Sequence, residues 1–349
     1  MKFFPFQPLT RHFKPKNIFA GFTLIELLAA TIMSGLVIST LLSFMLDVMR
    51  ANAKETARKN TMQDMTVALD FITNELQEAV YIYTGAELED RGIIAESEDD
   101  EDKDGIKDIL DLPDSGNLEP ILVFWKLEDA PYTTSDSFPS DCSQFAPNPE
   151  TATDQEKAKK ESCEQLKISQ RTYTLVAYLQ DSDPTDTWQG ESVIYRYQLR
   201  KYHNDDQTNS DEDKYKFNEL KQKAAYIDPQ QQSSFQAWPY NNNNTLPTDY
   251  SGPTINRQTS DALVDFVDKP NNTDLTGSFA CDSGYERTPA SSAISNSFYA
   301  CIEDKQGQIT VTLHLRGNSQ GRTGVNLGDS LTPLPTLESS TILRGTVVN

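Results

Sequence analysis

The sequence predicts an α+β fold in which one long N-terminal helix precedes an antiparallel β-sheet. A helical pattern runs from about residue 22 to about residue 83, first wholly apolar and then apolar on one face. Beyond residue 85 the pattern changes to short β-branched and aromatic segments with no regular helices between them. The 349 residues leave enough chain after the helix for one large folded domain or two small ones.

Charge is divided unevenly along the chain. The formal net charge is −21, yet residues 1–21 contain four basic residues and no acidic one, and so carry +4 (Lys2, Arg11, Lys14, Lys16). The rest of the chain therefore carries −25. Such an acidic body disfavours nucleic-acid binding, which needs a basic surface to offset phosphate charge. The hydrophobic content of 37% also predicts a polar, loop-rich soluble part.

The apolar segment has the length of a membrane span. No charged residue lies between Leu27 and Leu46, and about 20 apolar residues cross a bilayer as a helix. The basic residues before it favour a cytoplasmic N-terminus and a body on the other side. A secretory signal peptide is the alternative, but it has a shorter apolar core followed by a small-residue cleavage site. We therefore expect a transmembrane helix over residues 22–48.

One acidic residue, Glu26, lies at the start of this apolar segment. A carboxylate at the centre of a membrane helix costs about 2.5–3.5 kcal/mol, so an acid there calls for a partner. The surrounding string GFTLIELL, residues 21–28, resembles the class III signal of type IV prepilins and type II secretion pseudopilins. The resemblance implies that a prepilin peptidase removes the leader, residues 1–21, by cutting between Gly21 and Phe22. It further implies that Phe22 is N-methylated, and that Glu26 pairs with the amine of a neighbouring subunit during filament assembly.

Residues 49–84 are predicted to continue the helix in amphipathic form. No Pro or Gly interrupts residues 36–84, and Gly85 is predicted to end the helix. Apolar residues recur there with spacings of three and four, which marks one helix face: Met62, Met65, Leu69, Ile72, Leu76, Ala79 and Tyr83. A coiled-coil dimer stalk is the alternative. The pattern covers only about three heptads, so we favour packing of this face on the sheet.

Residues 85–349 are predicted to form a β-rich acidic head. The clearest strands are Pro120–Leu127, Arg171–Gln180, Glu191–Tyr202 and Gly307–Arg316, and weaker ones are Asp261–Asp268, Ser297–Glu303 and Ile342–Val348. Two long polar stretches, residues 129–164 and 228–260, are predicted to be surface excursions. A long helix followed by such a sheet resembles the architecture of pilin-like proteins.

The head resembles those of particular family members. Its size and strand number are similar to the larger minor pseudopilins, the J-type subunit of type II secretion and the W-type minor pilin. The acidity and the string FYACIEDKQGQITVTLHLRGN resemble the cyanobacterial hormogonium polysaccharide secretion pseudopilins. These resemblances imply a minor filament subunit used in secretion, including secretion of polysaccharide, or in motility. The implied partners are other pilins, the prepilin peptidase and an inner-membrane assembly platform.

A calcium loop is predicted in the acidic stretch of residues 87–114, whose net charge is −10. Residues 100–111 follow the pattern D-x-D-x-D-G-x-x-D-x-x-D, with Gly105 at the turn position. Calcium would be bound by five carboxylates and one backbone carbonyl: Asp100, Asp102, Asp104, Asp108, Asp111 and the carbonyl of Ile106. Lys107 and the short acid Asp111 depart from the usual pattern. A solvated acidic loop without calcium is the alternative.

The four cysteines fall into two close pairs. Cys142 and Cys163 are 21 residues apart, and Cys281 and Cys301 are 20 apart. In the exported part of a membrane-anchored protein, such pairs favour two local disulfides, each contributing about 3 kcal/mol in the loop-entropy model. Four unpaired buried thiols are the alternative, since connectivity does not follow from sequence. With three histidines and no CxxC, a zinc site is not expected.

No catalytic pattern stands out, and we expect a structural protein, not an enzyme. Residues 317–321, GNSQG, match G-x-S-x-G, but a nucleophile elbow needs a following helix and a later histidine, and no histidine follows His314. We expect a turn there instead. The main functional prediction is a filament subunit. The alternative is a membrane-anchored, calcium-dependent binding module displayed at a filament tip.

Overall fold

The computed structural model describes residues 23–89, 117–129, 142–143, 148, 150–183, 187–204, 220–222, 226–230, 233–240, 255, 260–272, 279–325 and 334–344. The chain divides into two compact units, residues 1–52 and 53–349. The described residues form one long helix, two shorter helices and antiparallel β-sheets, which confirms the predicted α+β class.

Helix α1 runs from Leu24 to Leu76 and is 53 residues long. The prediction that it reaches Tyr83 is wrong, because strand β1 (Ala79–Ile82) begins three residues after the helix ends. The sequence AVYI is rich in β-formers, and its pairing with the next strand outweighs the helical spacing. Ala79 and Tyr83 are nevertheless buried, as their place on the apolar pattern predicts.

A short helix, α2 (Gly85–Glu89), follows β1. Gly85 was predicted to stop the long helix, but it begins α2 instead. It lies so close to the backbone at Ala290 that a Cβ atom would come within 2.6 Å of the Ala290 Cα atom. The glycine is therefore explained by close packing.

The first large sheet has five antiparallel strands in the order β1-β2-β3-β4-β7. Its further strands are β2 (Leu118–Asp129), β3 (Arg171–Asp181), β4 (Ser192–Leu199) and β7 (Asp261–Val267). The strongest strand predictions for this region are confirmed. The predicted strand Glu191–Tyr202 is divided, because β4 ends at Leu199 and a separate hairpin begins with β5 (Tyr202–Asn204), paired with β6 (Leu220–Gln222).

The second sheet has four antiparallel strands in the order β11-β10-β9-β8. Its strands are β8 (Glu286–Thr288), β9 (Phe298–Lys305), β10 (Gln308–Arg316) and β11 (Thr336–Ile342). The head was predicted with one sheet and has two large ones. Of the predicted strand Ile342–Val348, Ile342 is the last residue of β11, residues 343 and 344 are not in a strand, and residues 345–348 lie outside the described part of the chain.

Strand β11 also contacts the end of the long helix. The hydroxyl groups of Thr73 and Ser339 are 3.2 Å apart, and the backbone N–H of Arg344 donates to the carbonyl of Gln77 at 3.2 Å. Strand β11 and the segment directly after it therefore pack beside the end of α1.

Both predicted surface excursions contain ordered structure. The first includes helix α3 (Asp154–Ser169), which begins with a capping box: Thr153 accepts from the backbone of Glu156, and the Glu156 carboxylate accepts from the backbone of Thr153. The second places Trp238 and Ile255 at no more than 1% exposure in the core. Part of this stretch therefore packs buried aromatic side chains against the sheet.

Apolar side chains fill both faces of the five-stranded sheet. One face packs against aromatic residues that include Tyr226, Phe235 and Trp238. The other face packs against the head half of α1 and the inner face of the four-stranded sheet. The helix contributes Met65, Ala68, Leu69, Ile72 and Leu76 to this second core. The prediction that the apolar face of the helix packs on the sheet is thus confirmed in unit 53–349.

Candidate functional site

Some of the predicted functional residues lie outside the described part of the chain. They are the processing residues Gly21 and Phe22 and the calcium-loop residues Asp100, Asp102, Asp104, Ile106, Asp108 and Asp111. Glu26 and the four cysteines are described.

Glu26 lies in the first turn of α1. Its backbone N–H donates to the carbonyl of Thr23 at 3.0 Å, and the Thr23 hydroxyl is 3.4 Å from the same nitrogen. Thr23 thus satisfies a donor that the helix leaves open at its start. An acidic side chain is also favoured by the positive end of the helix dipole.

Within the first unit, the apolar side chains of α1 are exposed. Leu24 is 87% exposed, Ile38 63% and Phe44 68%, and no residue from 24 to 52 is buried. A soluble helix of this composition would hide one face, but here apolar residues cover the whole circumference. The segment is long and apolar enough to cross a membrane.

Four hydroxyl side chains within the apolar segment bond to their own helix. Thr31, Ser34, Ser39 and Thr40 each donate to the carbonyl three residues earlier, at 2.8–3.1 Å. Each hydroxyl proton therefore has an acceptor inside the segment, which lowers the cost of placing these residues in lipid. Their presence does not conflict with a membrane environment.

In the head, a buried carboxylate fixes α1 to the five-stranded sheet. Glu75 accepts from the hydroxyl of Tyr178 at 2.5 Å and from Arg196 Nε at 3.0 Å. Lys126 Nζ lies 2.9 Å from its other oxygen. The side chains of Glu75, Arg196 and Lys126 are 7%, 12% and 10% exposed. Two cations and one hydroxyl from the sheet thus meet one acid on the helix.

These contacts alter the ionisation of Glu75. Burial by itself raises the pKa of Glu75, but hydrogen bonding and charge from Arg196, with smaller effects from Tyr178 and Lys126, lower it to about 2. The acid is therefore ionised at neutral pH although it is buried. This ion cluster favours one rotational position of the helix on the sheet.

The segment of residues 317–325, here called the collar, also packs against the head half of α1. Arg322 Nε donates to the Thr61 hydroxyl at 2.8 Å, and its terminal nitrogen pairs with Asp64. The same guanidinium lies 4.0 Å above the ring of Phe266. Arg322 therefore connects two residues of the helix to strand β7.

Glycines allow the collar to approach so closely. A Cβ atom at Gly317 would come within 2.6 Å of Thr61, and one at Gly324 would lie 2.7 Å from Ala53. Gly321 has φ +88°, and a Cβ there would be 2.5 Å from the carbonyl oxygen of Gln189. Ser319 is 2% exposed, and no helix follows it among residues 318–325. The G-x-S-x-G match is explained by this packing, and the predicted turn is confirmed.

The backbone beside the collar is strained at Phe266, which has φ 60°. Such a conformation is rare for a bulky residue and costs about 1–3 kcal/mol. The neighbouring Asp265 carboxylate accepts from the backbone N–H groups of Gly190 and Phe266 at 3.0 and 2.7 Å, and the Phe266 carbonyl accepts from Asn318. These bonds hold the strained residue in place.

A second buried carboxylate joins the two large sheets. Asp268 follows β7 and is fully buried, and it accepts from Arg316 Nε of β10 at 2.7 Å. Asn272 and Asn318 also donate to it, at 2.8 and 3.2 Å. The negative charge of Asp268 is thus balanced by Arg316, and two side-chain amides also donate hydrogen bonds to its carboxylate. A buried ion pair needs such additional hydrogen bonds to be stable.

Both predicted disulfides are present. Cys142 bonds Cys163 and Cys281 bonds Cys301, and there is no free cysteine. The first bond ties the segment at residue 142 to helix α3, and the second ties the segment before β8 to strand β9. The alternative of four unpaired thiols is excluded.

Sequence reasoning missed Glu75, Arg196, Asp268 and Arg316. Glu75 carried a usable signal, because it lies between Ile72 and Leu76 on the apolar face of the helix. A charge on a buried face requires a partner. Its partners come from β2, β3 and β4, more than 50 residues away, and no local pattern indicates them. Among the residues that the structure describes, no group of three or more His, Cys, Asp or Glu side chains is placed to hold a metal.

Comparison with protein-family models, curated proteins and solved structures finds no match to this chain.

Proposed function

We propose that this chain is a membrane-anchored filament subunit, a minor pilin or pseudopilin of the type IV pilin-like class. The observation that supports this most strongly is the apolar part of α1, exposed on all sides with one acid, Glu26, in its first turn. The string GFTLIELL around that acid supports the same proposal. The helix would anchor in the membrane before assembly and pack against other subunits' helices afterwards.

Glu26 would set the position of each subunit in the filament. Cleavage after Gly21 creates an α-amino group on Phe22, which is then N-methylated. Pairing of that amine with Glu26 of a neighbouring subunit would neutralise two charges that are costly in lipid. Because both groups lie near the helix start, the pair would fix the axial offset between neighbours.

The proposed location follows from the charges beside the apolar segment. The four basic residues of the leader would remain in the cytoplasm, and the acidic head would lie in the periplasm or outside the cell. The prepilin peptidase, an inner-membrane assembly platform and other pilins are the proposed partners. Secretion, including that of polysaccharide, or motility is the proposed process.

Calcium is proposed as a ligand of residues 100–111, through the acids of the predicted loop. Isothermal titration of the full chain with calcium would test it, with Asp102→Ala plus Asp104→Ala as the comparison. Binding that the double variant abolishes would support the site. No binding at millimolar calcium, or equal binding by the double variant, would refute it.

The processing step is tested by Gly21→Val, followed by immunoblotting of the chain in cells with and without the prepilin peptidase. The wild-type precursor should shorten by about 21 residues only when the peptidase is present, and the variant should not shorten. Shortening in cells that lack the peptidase would contradict the proposal.

The assembly role is tested by Glu26→Gln, measured as the amount of the chain recovered in sheared filaments. We expect it to be lost from filaments but kept in the membrane. Glu55→Gln is the matched control, because Glu55 is an exposed acid of the same helix, 3.8 Å from Lys59. Equal recovery of both variants would contradict the role of Glu26.

A further inference from the structure

The head contains a pocket of about 380 Å³ between the end of α3 and the start of β3. Gln165 and Ile168 line it from the helix, and Arg171 and Tyr173 line it from the strand. Lys201, Asp228 and Gln230 line it on another side. Pockets that hold small ligands begin at about 300 Å³, so this one has room for a molecule of one or two rings.

One wall of the pocket is apolar. Leu127 and Tyr173 are paired neighbours on β2 and β3, and both lie partly buried against the aromatic core. Ile168 is 87% exposed, whereas the other exposed side chains of α3 that the structure describes are polar. An exposed isoleucine beside a pocket offers apolar surface to whatever enters it.

The other walls are polar, and their charges are already matched. Lys201 Nζ and Asp228 Oδ2 are 2.7 Å apart, with side chains 6% and 10% exposed. Asp228 also accepts from the backbone N–H of Gln230 at 3.0 Å. At the opening, Arg171 pairs with Asp129 at 2.8 Å. An ionic ligand would find no uncompensated charge among these residues.

The combination of an apolar wall with polar walls whose charges are paired restricts the chemical class of ligand. A purely apolar molecule would cover the amides of Gln165 and Gln230 without returning a hydrogen bond, which is costly. A charged molecule would have to compete with two formed ion pairs. A neutral molecule with several hydroxyl groups and one C–H face satisfies both walls, since each hydroxyl can donate and accept.

We propose that this pocket binds a neutral saccharide of one or two rings. Its hydroxyl groups bond to Gln165, Asp228 and Gln230, and its C–H face lies against Leu127 and Ile168. The proposal does not depend on filament assembly, because all of these residues belong to the head.

Saturation-transfer NMR on the full chain tests it, in a detergent without a sugar head group. The probes are methyl glucoside, methyl galactoside and N-acetylglucosamine, with glucuronate as the charged comparison. We expect at least one neutral probe to bind with a Kd on the order of millimolar. Ile168→Ser and Gln230→Ala should each weaken that binding about fivefold or more.

Ile342→Ser is the matched control, because Ile342 is a 48% exposed isoleucine on β11 that does not line the pocket. It should leave binding unchanged. The proposal is overturned if no neutral probe binds at about 50 mM, a concentration well above a millimolar Kd. Preference for glucuronate, or equal binding by wild type and Ile168→Ser, would also overturn it.

Discussion

The two units use the same helix in opposite ways. Ile38, in the first unit, is 63% exposed, whereas Ile72, in the second, is fully buried. The head half of α1 finds its apolar partners in the two sheets of its own chain. No described residue buries the apolar half. One part of the helix is therefore stabilised by folding, and the other depends on its surroundings, which we propose to be lipid and neighbouring subunits.

Among the predictions that test this difference between the two halves of α1, the largest effect is expected from Glu75→Gln, on the stability of the head. The change leaves Arg196 and Lys126 buried without their shared counter-charge, so we expect the head to lose about 3–5 kcal/mol of unfolding free energy. Denaturant unfolding of the full chain measures it. Membrane association of the apolar half should not change.

Glu55→Gln on the same helix is the control, since surface pairs contribute about 0–1 kcal/mol. If the two variants unfold at the same denaturant concentration, Glu75 does not fix the helix to the sheet.

The pH dependence of the unfolding free energy should also reflect the ion cluster around Glu75. The pKa of Glu75 in the folded head is about 2, below its ordinary value of 4.5. The stabilisation from its charge is therefore complete above about pH 4.5 and is lost as the pH falls towards 2, with a total of about 3 kcal/mol. The difference in unfolding free energy between wild type and Glu75→Gln should shrink over this range. A constant difference would contradict the assignment.

A charge in the apolar half of α1 should affect only the membrane association of the chain. Ile38→Arg places a cation in the middle of the apolar segment, which should make insertion less favourable by about 2.5–3.5 kcal/mol. The fraction that resists alkaline extraction should fall, while the Tm of the head stays the same. Val67→Arg, at a 65% exposed position of the head half, should change neither quantity. A fall in head Tm with Ile38→Arg would show that the halves are not independent.

The smallest predicted effect concerns the collar. In Gly321→Ala the new alanine would adopt an unfavourable positive φ, and its methyl group would also clash with the Gln189 carbonyl oxygen. In Gly284→Ala the alanine would adopt a positive φ of 95° but would have open space around it. We expect Gly321→Ala to cost about 1–2 kcal/mol more in thermal unfolding than Gly284→Ala. Equal costs would mean that the collar does not need its close approach to residue 189.

Much of this architecture was predictable because it depends on local pattern. The apolar run fixed the first part of α1, and β2, β3, β9 and β10 are continuous β-branched and aromatic segments with buried faces. The cysteine pairs were predictable for the same reason, since their spacing suits local bonds. In each case the residues that determine the structure are neighbours in sequence.

Other elements were missed where local signals conflict or come from afar. Helix α3 carried a usable signal, the capping box of Thr153 and Glu156, but its polar composition resembles a loop. Strand β11 reads TLESSTI, and only Thr341 in it is buried. Its pairing with β10 sets its position, and that pairing is absent from its own sequence pattern. The partners of Glu75 are hidden in the same way.

The contact of Thr73 with Ser339 has a consequence for biogenesis. The two residues are 266 positions apart, so the strand beside the helix is synthesised long after the helix itself. At typical translation speeds this delay is on the order of tens of seconds. The apolar segment therefore leaves the ribosome well before the head can close. If it inserts into the membrane as we propose, it does so ahead of an acidic polypeptide that is still unfinished and unfolded.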